Sequence, residues 1–161
     1  MKNIILVQHT QSIHDTNGMM GLATNWELTN LGRQQADKIG RKLSAELKGK
    51  NFVTYASDLL RAKQTAEEIS QYLEMTPIFK SELRERLIPF YEEVLNSLGE
   101  IIIIVSDGDT LSIFCAMWLK FEVTDLNDKD LFGMAGGVSF LVENDKGKRW
   151  IKRLSDLSYI V

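Results

Sequence analysis

Asn3-Ile4-Ile5-Leu6-Val7-Gln8-His9-Thr10-Gln11-Ser12-Ile13-His14 is the stretch on which the reading of this 161-residue chain turns. Its apolar run, residues 4–7, stops at a polar cluster holding both histidines of the chain. A short run of consecutive apolar residues describes a strand covered on both faces, as in a parallel sheet. Open α/β sheets bind their ligands outside the carboxyl ends of such strands. His9 is therefore expected one residue beyond a rigid support, at the mouth of a crevice.

The surrounding composition is that of an ordinary globular protein, with 44% apolar and 25% charged residues. The length suits one domain with a substantial core, and residues 1–161 contain no repeat, linker or low-complexity segment at which to divide it. A net charge of −3 without a basic stripe argues against a nucleic-acid partner. The longest apolar run, residues 101–105, is far too short to cross a bilayer, so no membrane partner is expected. Met1-Lys2 leads directly into the first strand without a signal-peptide pattern, and the lone Cys115 excludes an intrachain disulfide. Both features fit a cytoplasmic protein.

Outward from His9, residues 10–27 form a polar loop, long for a compact domain and of the kind that is functional or mobile. Thr29 can cap a helix whose apolar face is Leu31, Ala36, Ile39, Leu43 and Leu47, with Gly49 as its stop. Residues 52–56 read as a strand. Ser57 or Asp58 can cap a helix over 59–73 that turns Leu60, Ala62, Ala66 and Ile69 inward. A short strand at 76–79 precedes a charged connection at 81–89 and a helix over 90–98. Residues 101–105 make the most apolar strand, which belongs at the sheet centre. Ser106-Asp107-Gly108-Asp109-Thr110 then turns the chain into a helix over 111–121, and 123–135 reads as irregular. Strands at 138–142 and 149–154 flank Asn144-Asp145-Lys146-Gly147 as a hairpin at a sheet edge. The pattern predicts an α/β three-layer sandwich: a mostly parallel sheet, helices on both faces and a C-terminal edge hairpin.

Gln8-His9, Ser57 to Arg61, Glu85, and Ser106 to Thr110 all fall at predicted strand ends or helix starts. The same places carry a resemblance. Leu6-Val7-Gln8-His9-Thr10-Gln11-Ser12 resembles the Leu-Val-Arg-His-Gly-Glu-Thr signature of the histidine phosphatase (phosphoglycerate mutase-like) superfamily. Leu28-Thr29-x-x-Gly32-x-x-Gln35-Ala36 is similar to that family's Leu-Thr-x-x-Gly-x-x-Gln-Ala. Ala56-Ser57-Asp58-Leu59-Leu60-Arg61-Ala62-Lys63-Gln64-Thr65-Ala66 resembles its Ser-Ser-Asp-Leu-x-Arg-Ala-x-x-Thr-Ala. Leu83-Arg84-Glu85 matches its Leu-Arg-Glu, and Val105-Ser106-Asp107-Gly108 stands where it has Val-Ser-His-Gly. Each match alone is weak, but together they follow the family's order over nearly the whole chain.

The resemblance implies a phosphomonoesterase. In the family the histidine after the first strand attacks a phosphate monoester and becomes a phosphohistidine, splitting one hard step into two. Two arginines, a second histidine and backbone amides hold the phosphoryl oxygens, and a carboxylic acid protonates the leaving oxygen. By resemblance, His9 is the nucleophile and Glu85 the general acid, both catalytic. Gln8, Gln11, Arg61, Asp107 and Gly108 surround a small phosphorylated molecule, with Gly108 permitting the tight turn that aims helix amides at phosphate.

Two departures weaken that implication: the first arginine is Gln8 and the second histidine is Asp107. They make the pocket more negative by roughly one to three charges, and one charge pair at ~4 Å and an effective dielectric of ~20 is worth about 4 kcal/mol. Asp107 beside His9 is expected to raise the pKa of the imidazole. His14, which could reach the pocket from its loop or face solvent, is not expected to replace the second histidine. The short connection between Glu85 and residue 101 predicts a shallow pocket. Weak phosphomonoesterase activity and a catalytically inactive ligand-binding or regulatory protein on the same fold both remain open.

Other candidates have plainer readings. His9, Glu85 and Asp107 with His14 are ligand types for a divalent ion, but carboxylates in an open pocket are ordinarily solvated, so neither a metal nor a cofactor is expected. Cys115 lies on a helical apolar face, and a cysteine phosphatase would need an arginine where the chain has Phe121. Met19, Met20 and Trp26 read as loop packing.

Overall fold

β1 (Lys2–Gln8) is the strand about which the sheet is arranged, in a computed structural model that describes residues 2–18, 24–97, 100–127, 131 and 133–161. For residues 84, 85, 123 and 127 only the backbone is described. β1 pairs parallel to β4 (Ile101–Ser106), β4 parallel to β2 (Phe52–Ser57), and β2 parallel to β3 (Ile78–Lys80). On its other side β1 pairs antiparallel to β5 (Val138–Glu143), which pairs antiparallel to β6 (Arg149–Asp156). The six-stranded order β3-β2-β4-β1-β5-β6 puts β4 in the interior and the hairpin at one edge.

Side chains alternating along β1 and β4 feed two separate cores. Ile5, Val7, Ile103 and Val105 pack with Ile39 and Leu43 of α2 (Asn30–Glu46) and Ala66 and Ile69 of α3 (Leu60–Leu73). Ile4, Leu6, Ile102 and Ile104 pack with Leu83, Phe90 and Phe114 on the opposite face. That face is covered by α4 (Glu82–Glu85), α5 (Leu87–Asn96) and α6 (Gly108–Trp118). Burial on both faces is why these strands read as unbroken apolar runs. The layered α/β architecture agrees with the sequence reading.

Several boundaries differ, each for a local reason. α6 starts at Gly108 instead of 111 because the Asp107 side chain accepts from Thr110 N at 3.1 Å and caps it. α5 starts at Leu87 instead of 90, with Pro89 inside its first turn, where a missing N–H removes no helical bond. The charged connection contains α4, and the long loop contains α1 (Ile13–Asn17), capped reciprocally by Ser12 and Asp15. Leu59, not Leu60, is buried at the start of α3. Leu31 is half exposed, since α2 approaches the first loop at Gly32 instead. Met19 and Met20 lie outside the described residues, as do 128–130 and 132 within the stretch read as irregular, which otherwise holds a short 3-10 helix at Val123–Asn127.

The hairpin turn is fixed by Asn144, whose Oδ1 accepts from Lys146 N and Lys148 N at 3.0 Å each. Gly147 supplies the left-handed backbone the turn needs, at φ +73°.

The close approach at Gly32 gives a stability test. A Cβ there would lie 1.9 Å from the carbonyl oxygen of Gln11, a backbone atom that cannot yield without moving the loop after β1. Gly32→Ala is expected to cost roughly 2 kcal/mol or more, read as a lowered urea midpoint. An unchanged midpoint would show that the loop does not hold its place against α2.

Candidate functional site

Because β1, β4 and β2 run parallel, their carboxyl ends open on one edge of the sheet, with Gln8 opposite Ser106 and Val105 opposite Ala56. His9 follows β1, Asp107 follows β4, and Arg61 lies in the first turn of α3 after β2. The His9 N–H donates to Ser106 O at 3.0 Å, continuing the β1–β4 pairing one residue past the strand. On the other side Gly136 N donates to Gln8 O at 3.2 Å and to His9 O at 3.1 Å. The backbone under His9 is thus held from two directions.

The imidazole of His9 is buried, at 4% exposure, and its Nδ1 lies 2.8 Å from Thr10 O. A carbonyl oxygen only accepts, so Nδ1 carries the proton and the lone pair is on Nε2. Burial lowers the pKa of His9 first of all; the Thr10 contact opposes this, and the Arg61 guanidinium adds to it. The expectation that Asp107 would raise it is corrected. Asp107 is turned to its own helix as a cap, and desolvation outweighs the one carboxylate that acts on the ring, Asp15. The imidazole is held neutral.

Arg61 is buried, at 2% exposure, and its Nη1 donates to Thr24 O at 2.9 Å. Burial lowers its pKa, opposed by the nearby charges of Asp107 and Asp15. Thr65, one turn along α3, ties this helix to the loop after β1: its Oγ1 accepts from Thr10 N at 3.2 Å and donates to Arg61 O at 2.8 Å. Gly108 is buried at the start of α6, where the first amides of a helix lack internal partners.

The remaining candidates are less directly placed. Gln8 lines a narrow cleft with Gly108, Leu111 and Cys115, on the α6 face of the sheet. The side-chain oxygen of Gln11 accepts from Thr29 Oγ1 at 2.8 Å, which joins the loop to the cap of α2. The Glu85 side chain lies outside the described residues. Its helix is pinned at the α6 start, where Thr110 Oγ1 donates to Leu83 O at 3.0 Å. Cys115 is buried in the core and its thiol is pushed up to about 12 by desolvation. Among the described residues no three His, Cys, Asp or Glu side chains are grouped to hold a metal ion, and no helix is long and apolar enough to cross a membrane.

His14, whose place the sequence reading left open between the pocket and solvent, lies beside His9. Its ring centroid lies 5.6 Å from that of His9, tilted by 53°. Nδ1 hydrogen-bonds to Ser12 Oγ, and Nε2 lies 3.2 Å from Asp15 Oδ1. The available signal was the capping pattern of Ser12 and Asp15, which turns the chain into α1 just after His9 and folds His14 back.

Comparison with known proteins adds four findings. The family model of the histidine phosphatase superfamily (branch 1) matches residues 4–93. The serine/threonine-protein phosphatase PGAM5, mitochondrial, of Xenopus tropicalis is 39% identical over 74 residues, which are 45% of this chain and 24% of that protein's length. Mycobacterial glucosyl-3-phosphoglycerate phosphatase, solved with VO3, superposes at a TM-score of 0.82 over 96% of this chain and 99% of its own, with 14% identity. Phosphoserine phosphatase of Entamoeba histolytica, in complex with 3-phosphoglyceric acid, superposes at 0.78 over 100% of both chains, with 18% identity.

The lowered histidines make stability depend on pH in a defined direction. His9 and His14 both lie below the ordinary 6.5, so on acidification the unfolded chain takes up protons before the folded one does. Their contribution is present above that value and is lost as pH falls through it towards the folded-state pKa values. Asp37 and Asp156, also lowered, act only from about 3.8 downward. The urea midpoint should therefore fall between about pH 7.5 and 5.5, and His9→Gln should flatten the slope. A midpoint that rises on acidification would contradict the burial of neutral imidazoles.

Proposed function

Since this chain belongs to the histidine phosphatase superfamily (branch 1), we propose that it hydrolyses small phosphate monoesters through a phosphohistidine at His9, with activity limited by Gln8 and Asp107. The observation that carries this reading is the orientation of His9. Its Nδ1–H is engaged by Thr10 O, its pKa is held down by burial, and the Nε2 lone pair belongs to a neutral ring at ordinary pH.

In the proposed reaction Nε2 of His9 forms a bond to phosphorus as the ester P–O bond breaks. Glu85, as the acid, gives its proton to the departing alkoxide. Water then attacks the phosphohistidine, Glu85 takes the proton back, and the P–N bond breaks to release phosphate and neutral His9. Arg61 and the first amides of α6 stabilise charge on the phosphoryl oxygens in both steps. Gln11 acts from one remove, by fixing the loop through Thr29. Small phosphorylated substrates suit a site of this kind.

The limitation follows from charge. The Asp107 carboxylate stands at the α6 N-terminus that a phosphate dianion would use, and its field reaches Arg61. Gln8 adds no positive charge on the adjacent strand end. These two positions also favour a second reading, a ligand-binding or regulatory protein without turnover.

Hydrolysis of p-nitrophenyl phosphate separates the two readings. Wild type should be slow and His9→Ala inactive, while Gln8→Arg with Asp107→His should raise kcat/KM by about tenfold or more. The double variant should exceed the product of the single effects, since the sites adjoin. It should also lose about 1 kcal/mol of stability with the α6 cap. Brisk wild-type turnover with no gain in the double variant would sink the limitation, and absence of any His9-dependent turnover would favour the binding protein.

A further inference from the structure

We propose that His14 supplies the second imidazole of the site, donating its Nε2–H to a non-bridging oxygen of the phosphoryl group on which His9 acts. The inference rests on the phosphatase reading above. It is carried by the juxtaposition of the chain's two histidines, whose rings are 5.6 Å apart although His14 belongs to the loop and not to a strand end.

His14 is built in, not draped over the surface. Ser12, fully buried, bridges antiparallel to Leu28, and Ile13 N donates to Glu27 O at 3.0 Å. These bonds fix the segment before the histidine. The His14 side chain is only 14% exposed. Its hydrogen bonds also define its protons. Nε2 faces Asp15 Oδ1, a carboxylate oxygen that only accepts, so Nε2 carries the proton. Nδ1 of the neutral ring then accepts from the Ser12 hydroxyl.

The contact between Nε2 and Asp15 is 3.2 Å, longer than the roughly 2.7–2.9 Å of a strong charge-assisted bond. A phosphoryl oxygen can replace it at little cost. Arg61 acts electrostatically on both His9 and His14, so the buried guanidinium stands near both rings. In the uncomplexed protein burial and Arg61 oppose protonation of His14, while Asp15 favours it. An arriving dianion adds to the favourable side. No other histidine is present in the chain to do this, and the β4 end carries Asp107.

The test uses the 161-residue chain, p-nitrophenyl phosphate kinetics and calorimetric titration with orthophosphate. His14→Asn should lower the His9-dependent kcat by about a hundredfold and weaken orthophosphate binding by about tenfold, without a matching loss in urea midpoint. Adding Asp107→His to His14→Asn should recover most of both, because an imidazole on the β4 end replaces the one lost from the loop. Because Asp107→His also removes a carboxylate, the rescue is read against Asp107→His alone: His14→Asn should cost little in that background, whereas a merely structural role for His14 would cost the same factor there as in wild type. The proposal is overturned if His14→Asn leaves kcat and orthophosphate affinity within about twofold, or if a folded double variant recovers neither. Should the double variant not fold, orthophosphate affinity of His14→Asn decides alone. If wild type shows no His9-dependent turnover, the phosphatase reading fails by itself, and the same titration still decides whether His14 holds a phosphoryl group.

Discussion

The parallel register of β1, β4 and β2 is the constraint from which the rest follows. Leu6 and Tyr55 both stand opposite Ile104, so the three strands end level and deliver His9, Asp107 and the first turn of α3 to one edge. Both faces of this sheet segment are buried, and a slip by one residue would turn every core side chain to the wrong layer. The hydrophobic pattern therefore positions His9 as firmly as any hydrogen bond made to it. Ordinary packing forces, acting far from the imidazole, set its location.

Within that frame two opposing electrostatic demands meet. A nucleophilic imidazole must stay neutral, and burial beside Arg61 secures that for His9. A phosphoryl dianion needs positive or neutral donors, and here Arg61 is attended by Asp107 and Asp15. Asp107 does its structural work well, capping α6 through Thr110 N. The same carboxylate stands where added negative charge is least helpful. On the proposed phosphatase reading the position trades anion affinity for helix stability, on the order of 1 kcal/mol for the cap against several for a charge pair.

Much of this was legible in the chain. The run ending in Gln8-His9, the Thr29 cap and the apolar strand at β4 gave element types, the parallel sheet and the edge hairpin, because two-sided burial and capping leave marks in sequence. The start of α6 was missed by three residues because Asp107 was read for its charge and not for its capping oxygen. The protonation of His9 was misjudged for a similar reason. Strand ends and the family resemblance put Asp107 beside His9, whereas desolvation depends on how the fold closes around the ring. The placement of His14 depended on a one-turn helix, shorter than hydrophobic periodicity can reveal.

A crystal soaked with vanadate tests the central role of His9 most directly. Vanadium should bond to Nε2 of His9 in five-coordinate geometry, with Arg61 and the start of α6 facing its oxygens. Vanadate bound away from His9, or a site beside Nε2 that stays empty at saturating vanadate, would contradict a phosphohistidine chemistry for this protein.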